Sequence, residues 1–231
     1  MDVSALRTTS AHVLVDPGQL GADSITLDAD AEHHLRRVLR LRQGESVGVS
    51  DGAGRWLVAS VVVDGSALRL EPRTAVAVEP SPAPELVIAA AMPKGDRLEW
   101  LVQKTTELGV DRLVLLHAER SVVRWKPDRA AAQRSRLQRI SDEATRQSRR
   151  VRRLGIDGPF DAIDVLAGFT VAEPGGRRIA GGDTAIAVGP EGGWSPGELD
   201  AAMDRVSLGS TILRTETAAV AASTLCVTFN R

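Results

Sequence analysis

Chemistry is first suggested by the stretch GPEGGWSPGELD at residues 189–200, which contains Gly193-Trp194-Ser195-Pro196-Gly197. These five residues fit the pattern G-x-S-x-G, which marks the exposed nucleophilic serine of α/β-hydrolases on a turn between a strand and a helix. The flanks agree with such a turn, since TAIAVG before it is apolar enough for a buried strand and ELDAAMDR after it can form a helix. Ser195 is therefore a candidate nucleophile.

Two features argue against a hydrolase. The oxyanion hole of that architecture uses the backbone N–H of the residue after the nucleophile, and here that residue is Pro196, which has no N–H. The triad histidine should follow the serine in the chain, whereas every histidine precedes it. Ser195 and Glu198 instead have the spacing of a capping box, with a proline at the first helical position. The sequence therefore predicts that Ser195 starts a helix.

The glycines of GPEGG then need another explanation. Glycines at the end of a strand let a ligand approach the backbone closely, or let the backbone adopt conformations closed to other residues. The stretch is not G-x-G-x-x-G, and no G-K-[ST] of a phosphate-binding loop occurs in the chain. The classical dinucleotide and nucleoside-triphosphate sites are therefore not indicated.

The composition limits the class of protein. The chain has 231 residues, of which 43% are hydrophobic and 26% charged, as in soluble globular proteins. The single cysteine, Cys226, excludes an internal disulfide and a cysteine-cluster metal site. No secretory signal follows the N-terminus, and the longest apolar run, at 86–92, is far too short to span a bilayer. We expect a cytoplasmic protein without metal or membrane.

Basic residues are concentrated in two places although the net charge is −1. Residues 124–153 hold eleven Lys and Arg against three acids, and HHLRRVLRLR at 33–42 holds four arginines and two histidines without an acid. Each patch alone fits a solvated helix face as well as a phosphate-binding surface. The two together favour RNA or DNA as a partner.

The elements that must position these residues divide at a proline-rich linker, PRTAVAVEPSPAP at 72–84. Before it, SVGVSDG, RWLVASVVV and ALRLEP have the pattern of short strands, with a hairpin turn at DGAG. After it, buried strands alternate with helical stretches such as 96–109 and 134–151. We predict a small β domain at 1–75 and an α/β domain at 76–231. The second domain should hold a parallel sheet covered on both sides, with ligands beyond the strands' C-terminal ends.

Several stretches resemble one known family. They are GPEGGWSPGELD, LGSTILRTETAAVAAS at 208–223, MPKGDRLEWLVQKTTELGV at 92–110, DEATRQSRR at 142–150 and HHLRRVLRLRQGE at 33–45. Together they resemble the SPOUT methyltransferases, and more narrowly the RsmE-type 16S ribosomal RNA uridine-N3 methyltransferases, over nearly the whole chain. The resemblance implies a PUA-like N-terminal β-barrel that binds RNA and a C-terminal α/β domain with a trefoil knot. It also implies S-adenosylmethionine (SAM) as methyl donor and a homodimer with active sites at its interface.

The resemblance further assigns site residues. Those implied to bind the cofactor are Val171, Glu173, Gly189, Gly193, Leu208, Gly209, Ile212, Leu213 and Ala218. The two basic patches, rather than the resemblance, suggest the residues that contact RNA phosphates, and these are Arg36, Arg37, Arg40, Arg149 and Arg150.

The polar residues beside the cofactor loop, Arg214 and Glu216, are the expected chemical groups. The uridine N3 must lose a proton, and a guanidinium can stabilise the resulting anion. Glu216 would either orient Arg214 or accept the proton, and a purely structural Arg–Glu pair at the dimer interface is the alternative.

The residues are also compatible with other functions. One is a methyltransferase of the same superfamily that acts on another RNA site, such as transfer RNA or a ribose 2′-OH. Another is a non-catalytic RNA-binding dimer, although such a protein would not need the GPEGG and LRTETA loops. The modified nucleotide, and the choice between naked RNA and an assembled subunit, do not follow from the residues.

Replacing Ser195 by alanine is expected to lower the free energy of unfolding by about 1 kcal/mol, because the following helix loses its cap. Methyl transfer should persist, since the hydroxyl has no chemical role. Urea unfolding and labelled-methyl transfer from SAM to ribosomal RNA check the two expectations. A folded, SAM-binding Ser195→Ala protein with no transfer at all would make the serine a chemical group.

Overall fold

The computed structural model describes residues 2–65 and 67–231, so Met1 and Ser66 of the predicted N-terminal domain lie outside the described residues. The chain forms two compact units. The first runs to Pro82 and also includes Thr145–Arg153, and the second comprises Ala83–Ala144 and Leu154–Arg231. The first boundary between the units thus lies after residue 82, whereas the sequence predicts it after residue 75. The chain later returns to the first unit once, at residues 145–153.

The first unit is built on a six-stranded sheet. Its strands are β1 (Ala11–Leu14), β2 (Ile25–Thr26), β3 (Ser46–Ser50), β4 (Arg55–Asp64), β5 (Ala67–Pro72) and β6 (Ala77–Val78). A short helix α1 (Ala29–His33) continues into a π-helical turn, His34–Val38. The strand order is β1-β3-β4-β5-β2, with β6 paired to β4, and every pair is antiparallel except β1 with β3. The three strands predicted in this region are therefore confirmed.

Two local features of the first unit explain its connections. The predicted turn at DGAG joins β3 to β4, and its left-handed glycines, Gly52 and Gly54, have φ of 73° and 104°. The proline-rich stretch is not wholly a linker, because Ala77 and Val78 pair with β4 and the Glu79 N–H donates to the Gly54 carbonyl at 2.8 Å. That pairing is why the first unit extends beyond residue 75.

The segment 145–153 completes the core of the first unit. Val151 is buried with Leu6 and Trp56, and its carbonyl accepts from the Gly54 N–H at 3.0 Å. The guanidinium of Arg152 donates to the Glu79 carbonyl, and that of Arg153 donates to the Asp51 carbonyl at 3.0 Å. Basic side chains of this segment therefore bind backbone carbonyls of the first unit.

The second unit is a six-stranded parallel sheet with helices. Its elements are β7 (Val87–Ala91), α2 (Arg97–Leu108), β8 (Arg112–His117), α3 (Pro127–Gln147), β9 (Gly155–Asp161), α4 (Ala162–Val165), β10 (Thr170–Arg178), β11 (Ala185–Val188), α5 (Pro196–Ala201), β12 (Asp204–Ser207) and α6 (Thr215–Asn230). The last three residues of α3 belong to the first unit. The strand order is β12-β10-β11-β7-β8-β9, and every neighbouring pair is parallel.

Apolar residues on both faces of this sheet are buried, as the sequence predicts. Ile88 and Ala90 of β7 belong to the cluster that contains the α2 and α6 side chains, whereas Ala89 and Ala91 belong to a second cluster on the opposite face. This alternation follows from the two-residue period of a strand. Alanines of α6 fill the first cluster and let that helix lie close to its neighbours.

Within residues 2–65 and 67–231, no helix is long and apolar enough to cross a membrane. The same residues contain no group of His, Cys, Asp or Glu side chains that could hold a metal ion.

Val151→Asp should destabilise the protein by at least about 3 kcal/mol, because the substitution buries an unpaired carboxylate beside Trp56. The matched control is Val78→Asp in the same unit, where the side chain is 68% exposed and the change should stay within about 0.5 kcal/mol. Urea unfolding followed by tryptophan fluorescence measures both. Equal free energies of unfolding in the two variants would contradict the packing of segment 145–153 in the core of the first unit.

Candidate functional site

A cavity of about 400 Å³ lies in the second unit, beside residues 172–174 in the middle of β10 and at the C-terminal ends of β11 and β12. Its walls come from the loop after β11, the loop after β12, the first turns of α6 and one residue that follows β8. The carboxyl ends of parallel strands share one edge of the sheet, which is where ligands of such folds bind. The cavity is therefore the candidate functional site.

The loop after β11 is the GPEGG stretch, and its glycines meet two different needs. Gly193 has a φ of 69°, and its N–H donates to the Pro190 carbonyl at 2.8 Å, which closes a tight turn. A Cβ on Gly189 would lie 3.0 Å from the indole ring of Trp194. The Gly189 carbonyl accepts a hydrogen bond of 2.9 Å from the Thr215 hydroxyl. That bond joins the first cavity loop to the start of α6.

Trp194 forms an apolar wall of the cavity and is 4% exposed. Its indole N–H donates to the carbonyl of Ala172 at 3.3 Å, at the point where β10 enters the cavity wall. Leu208, Ile212 and Leu213 supply further apolar surface from the loop after β12. The cavity thus offers aromatic and aliphatic faces together with exposed backbone groups of two loops.

Ser195 is the N-cap of α5 and forms the predicted capping box. The Glu198 N–H donates to the serine hydroxyl at 3.4 Å, and the Ser195 N–H donates to the Glu198 carboxylate at 2.8 Å. The second oxygen of that carboxylate accepts from the Glu119 N–H at 2.8 Å. The serine is 2% exposed, so the structural role predicted for it is confirmed.

Most residues predicted to bind a cofactor lie together around the cavity. The lining includes Glu173, Gly189, Gly193, Leu208, Gly209, Ile212, Leu213 and Ala218. Val171 does not line it, because its fully buried side chain packs in the cluster on the other face of the sheet. Successive residues of a strand face opposite sides, and Ala172 has the position facing the cavity.

Arg214 and Glu216, the predicted chemical groups, do not pair with each other. Arg214 is the N-cap residue of α6 and is exposed, with no ion pair among the residues that the structure describes. Glu216 lies in the first turn of α6 and is 8% exposed. One of its carboxylate oxygens lies 3.7 Å from the Arg97 Nε, and the same guanidinium lies 3.7 Å from Glu191. The partner of Glu216 is therefore Arg97, which sequence reasoning did not single out.

Arg120 is a second residue that sequence reasoning missed. Its Nη1 donates to the carbonyls of Gly192 and Trp194, each at 3.1 Å, so it holds the GPEGG loop from the side of β8. It is the third residue after a buried strand that the sequence indicates, and the C-terminal ends of such strands are where α/β proteins carry ligand-binding groups. Arg97 stands in the MPKGDRLEW stretch that the family resemblance had already marked.

The residues predicted to bind RNA belong to the first unit. Arg36 and Arg37 lie in the π-helical turn after α1, and Arg40 follows with a φ of 56°. Arg149 differs from the prediction in having an internal role, since its guanidinium donates to the Thr9 carbonyl at 3.1 Å and burial lowers its pKa. Arg150 lies in the same segment of the first unit, within 145–153.

Comparisons with known proteins agree with this arrangement. A family model described as RNA methyltransferase domain matches residues 79–227, and one described as RNA methyltransferase PUA domain matches residues 27–70. The ribosomal RNA small subunit methyltransferase E of Mycobacterium bovis is 34% identical, with 85% of this chain and 83% of the relative covered. The protein of that name from Bacillus subtilis is 29% identical, with 85% and 87% covered.

A solved structure is also similar over both units. It is the ribosomal RNA small subunit methyltransferase E of Neisseria gonorrhoeae bound to S-adenosyl methionine. The TM-score is 0.77 at 26% identity, and the match covers 92% of this chain and 94% of that one.

Proposed function

This chain belongs to the RNA methyltransferase family whose members include ribosomal RNA small subunit methyltransferase E, and we propose that it methylates N3 of a uridine in 16S ribosomal RNA with SAM as donor. The observation that carries the proposal is the convergence of two loops, 189–194 and 207–213, on one cavity. Its volume of about 400 Å³ falls within the usual range of small-molecule sites.

The residues around the cavity fit the cofactor. Trp194 and Leu213 give apolar surface for an adenine, and the backbone of the two loops gives donors and acceptors for its polar edge. When bound, SAM supplies a methyl group on a positively charged sulfur. We propose that the lining residues predicted from the sequence hold it, with Ala172 in place of Val171. The glycine-rich loop is held by bonds to Thr215 and Arg120, which prepares the site for binding.

We assign the stabilisation of the uridine anion to Arg214. It lies between Leu213 and Thr215, both of which line the cavity, and its side chain is exposed. A uridine that loses its N3 proton develops negative charge on its ring oxygens, which a guanidinium can hold. For Glu216, the ion pair with Arg97 favours a positioning role. Its carboxylate lies in the first turn of α6, where the helix dipole also favours a negative charge.

We propose the finer features of the family for this chain as well. These are a barrel-like closure of the first unit's sheet, a trefoil knot in the second unit, a homodimer and a cytoplasmic location, where ribosomal RNA is found. Ile212 supports the dimer, because it lines the cavity while 85% exposed. A second copy covering it would remove apolar surface from water.

Arg214→Ala is expected to lower kcat and kcat/KM by similar factors, roughly 10²- to 10³-fold, since the lost interaction acts in the transition state. SAM affinity and the dimer should survive. Single-turnover methylation at saturating SAM and RNA measures the loss, with Arg178→Ala as the control at another exposed arginine of the second unit. Near-normal turnover with a weakened dimer would instead make Arg214 structural.

The triple variant Arg36→Ala, Arg37→Ala and Arg40→Ala should bind ribosomal RNA more weakly and with a shallower dependence on salt. Each lost phosphate contact lowers the magnitude of the negative slope of log K against log salt by about 0.7 to 0.9. A titration of RNA at several salt concentrations measures the slope, with Arg73→Ala in the same unit as control. Wild-type affinity and slope in the triple variant would exclude this surface from RNA binding.

A further inference from the structure

The charges on the cavity wall are mixed. Among the described residues that line it, the charged ones are Arg120, Glu173 and Glu191. Glu191 already has an ion-pair partner in Arg97, at 3.7 Å. Among residues 2–65 and 67–231, no acid lies within ion-pair distance of Arg120, whose side chain bonds to backbone carbonyls. The stabilisation of the uridine anion, which is proposed for Arg214, does not involve Arg120. A cation at a cavity wall without a carboxylate partner can bind an anionic group of the ligand.

The hydrogen bonds of Arg120 leave one edge of its guanidinium available. Nη1 donates to the carbonyls of Gly192 and Trp194, which fixes the plane of the group against the loop. Nε and Nη2 have no hydrogen-bond partner within the described part of the chain. A guanidinium presents its N–H groups in a planar fork, and two of them on one edge match the two oxygens of a carboxylate. The available edge of Arg120 is of this kind.

The proposed cofactor has one group that suits this edge. SAM contains no phosphate, and at neutral pH its single anionic group is the α-carboxylate of its methionine portion. We propose that Arg120 binds this α-carboxylate and so distinguishes SAM from nucleosides that lack it. The assignment rests on the proposed function.

The other anion that could meet Arg120 is a phosphate of the RNA substrate. Two acids, Glu173 and Glu191, share the cavity wall with Arg120 and would repel a polyanion. The amino-acid portion of SAM carries one positive and one negative charge at neutral pH, so it can bind beside charges of either sign. Arg120 is moreover bonded to residues of the cofactor loop itself. These observations favour the cofactor carboxylate.

The test compares two ligands that differ in the carboxylate alone, SAM and decarboxylated SAM, by calorimetry on the full-length protein. The wild type should bind SAM roughly 10- to 100-fold more tightly, as expected for a hydrogen bond to a charged group. In Arg120→Gln this ratio should fall to nearly one, because SAM loses the bond to its carboxylate in addition to any loss of loop support, which affects both ligands equally. Arg120→Lys should keep part of the preference, and it provides the measurement if the glutamine variant does not fold.

Arg124→Gln is the matched control, since Arg124 is a nearby exposed arginine that pairs with Asp161 and does not line the cavity. It should keep the wild-type ratio. If Arg120→Gln loses affinity for both ligands equally, or for neither, the ratio is unchanged and the proposal is overturned; an equal loss would mean that Arg120 only supports the loop. If an RNA titration shows that the variant loses affinity for RNA alone, Arg120 binds a phosphate instead. A wild type that binds neither ligand would contradict the proposed function itself.

Discussion

Parallel pairing of β10 with both β11 and β12 is the constraint on which the cavity depends. The pairing places the C-terminal ends of β11 and β12 on either side of residues 172–174 of β10, so the loops that follow β11 and β12 meet there. The register of β10 against β12 shifts between Ala172 and Arg177, and this irregularity releases Glu173 and Pro174 from the sheet into the cavity wall. Gly176 allows the shift, because a Cβ there would lie 2.6 Å from the backbone of Val206. The shape of the site therefore begins in the sheet.

The loops themselves are held mainly by side chains that bond to backbone atoms. The Thr215 hydroxyl bonds to Gly189, the indole of Trp194 bonds to Ala172, and Arg120 bonds to two loop carbonyls. Such bonds fix the path of the chain without occupying the cavity with side chains. The site is thus formed before any ligand arrives, which reduces the ordering cost of binding.

Local features of this protein could be predicted from its sequence, whereas contacts distant in sequence could not. The cap at Ser195 follows from four consecutive residues, and the strands follow from short apolar runs. The partner of Glu216 did not follow, because Arg97 is far away in the chain and only the α2–α6 packing brings them together. Val171 was expected at the cavity, but it lies on the other face of the sheet, because adjacent residues of a strand face opposite sides. The sequence alone does not show which of two adjacent residues faces the cavity. The resemblance to a family supplied the cofactor and the substrate, which periodicity does not encode.

The basic segment 145–153 has a consequence for how this protein is made. It belongs to the first unit although the 62 residues 83–144 of the second unit precede it in the chain. A ribosome that has synthesised residue 82 has therefore not yet made Val151, which packs on Leu6 and Trp56. At 5–20 residues per second, the wait is on the order of 4 to 14 s. During that time the N-terminal unit lacks part of its core, so its folding must finish together with the domain that follows rather than ahead of it.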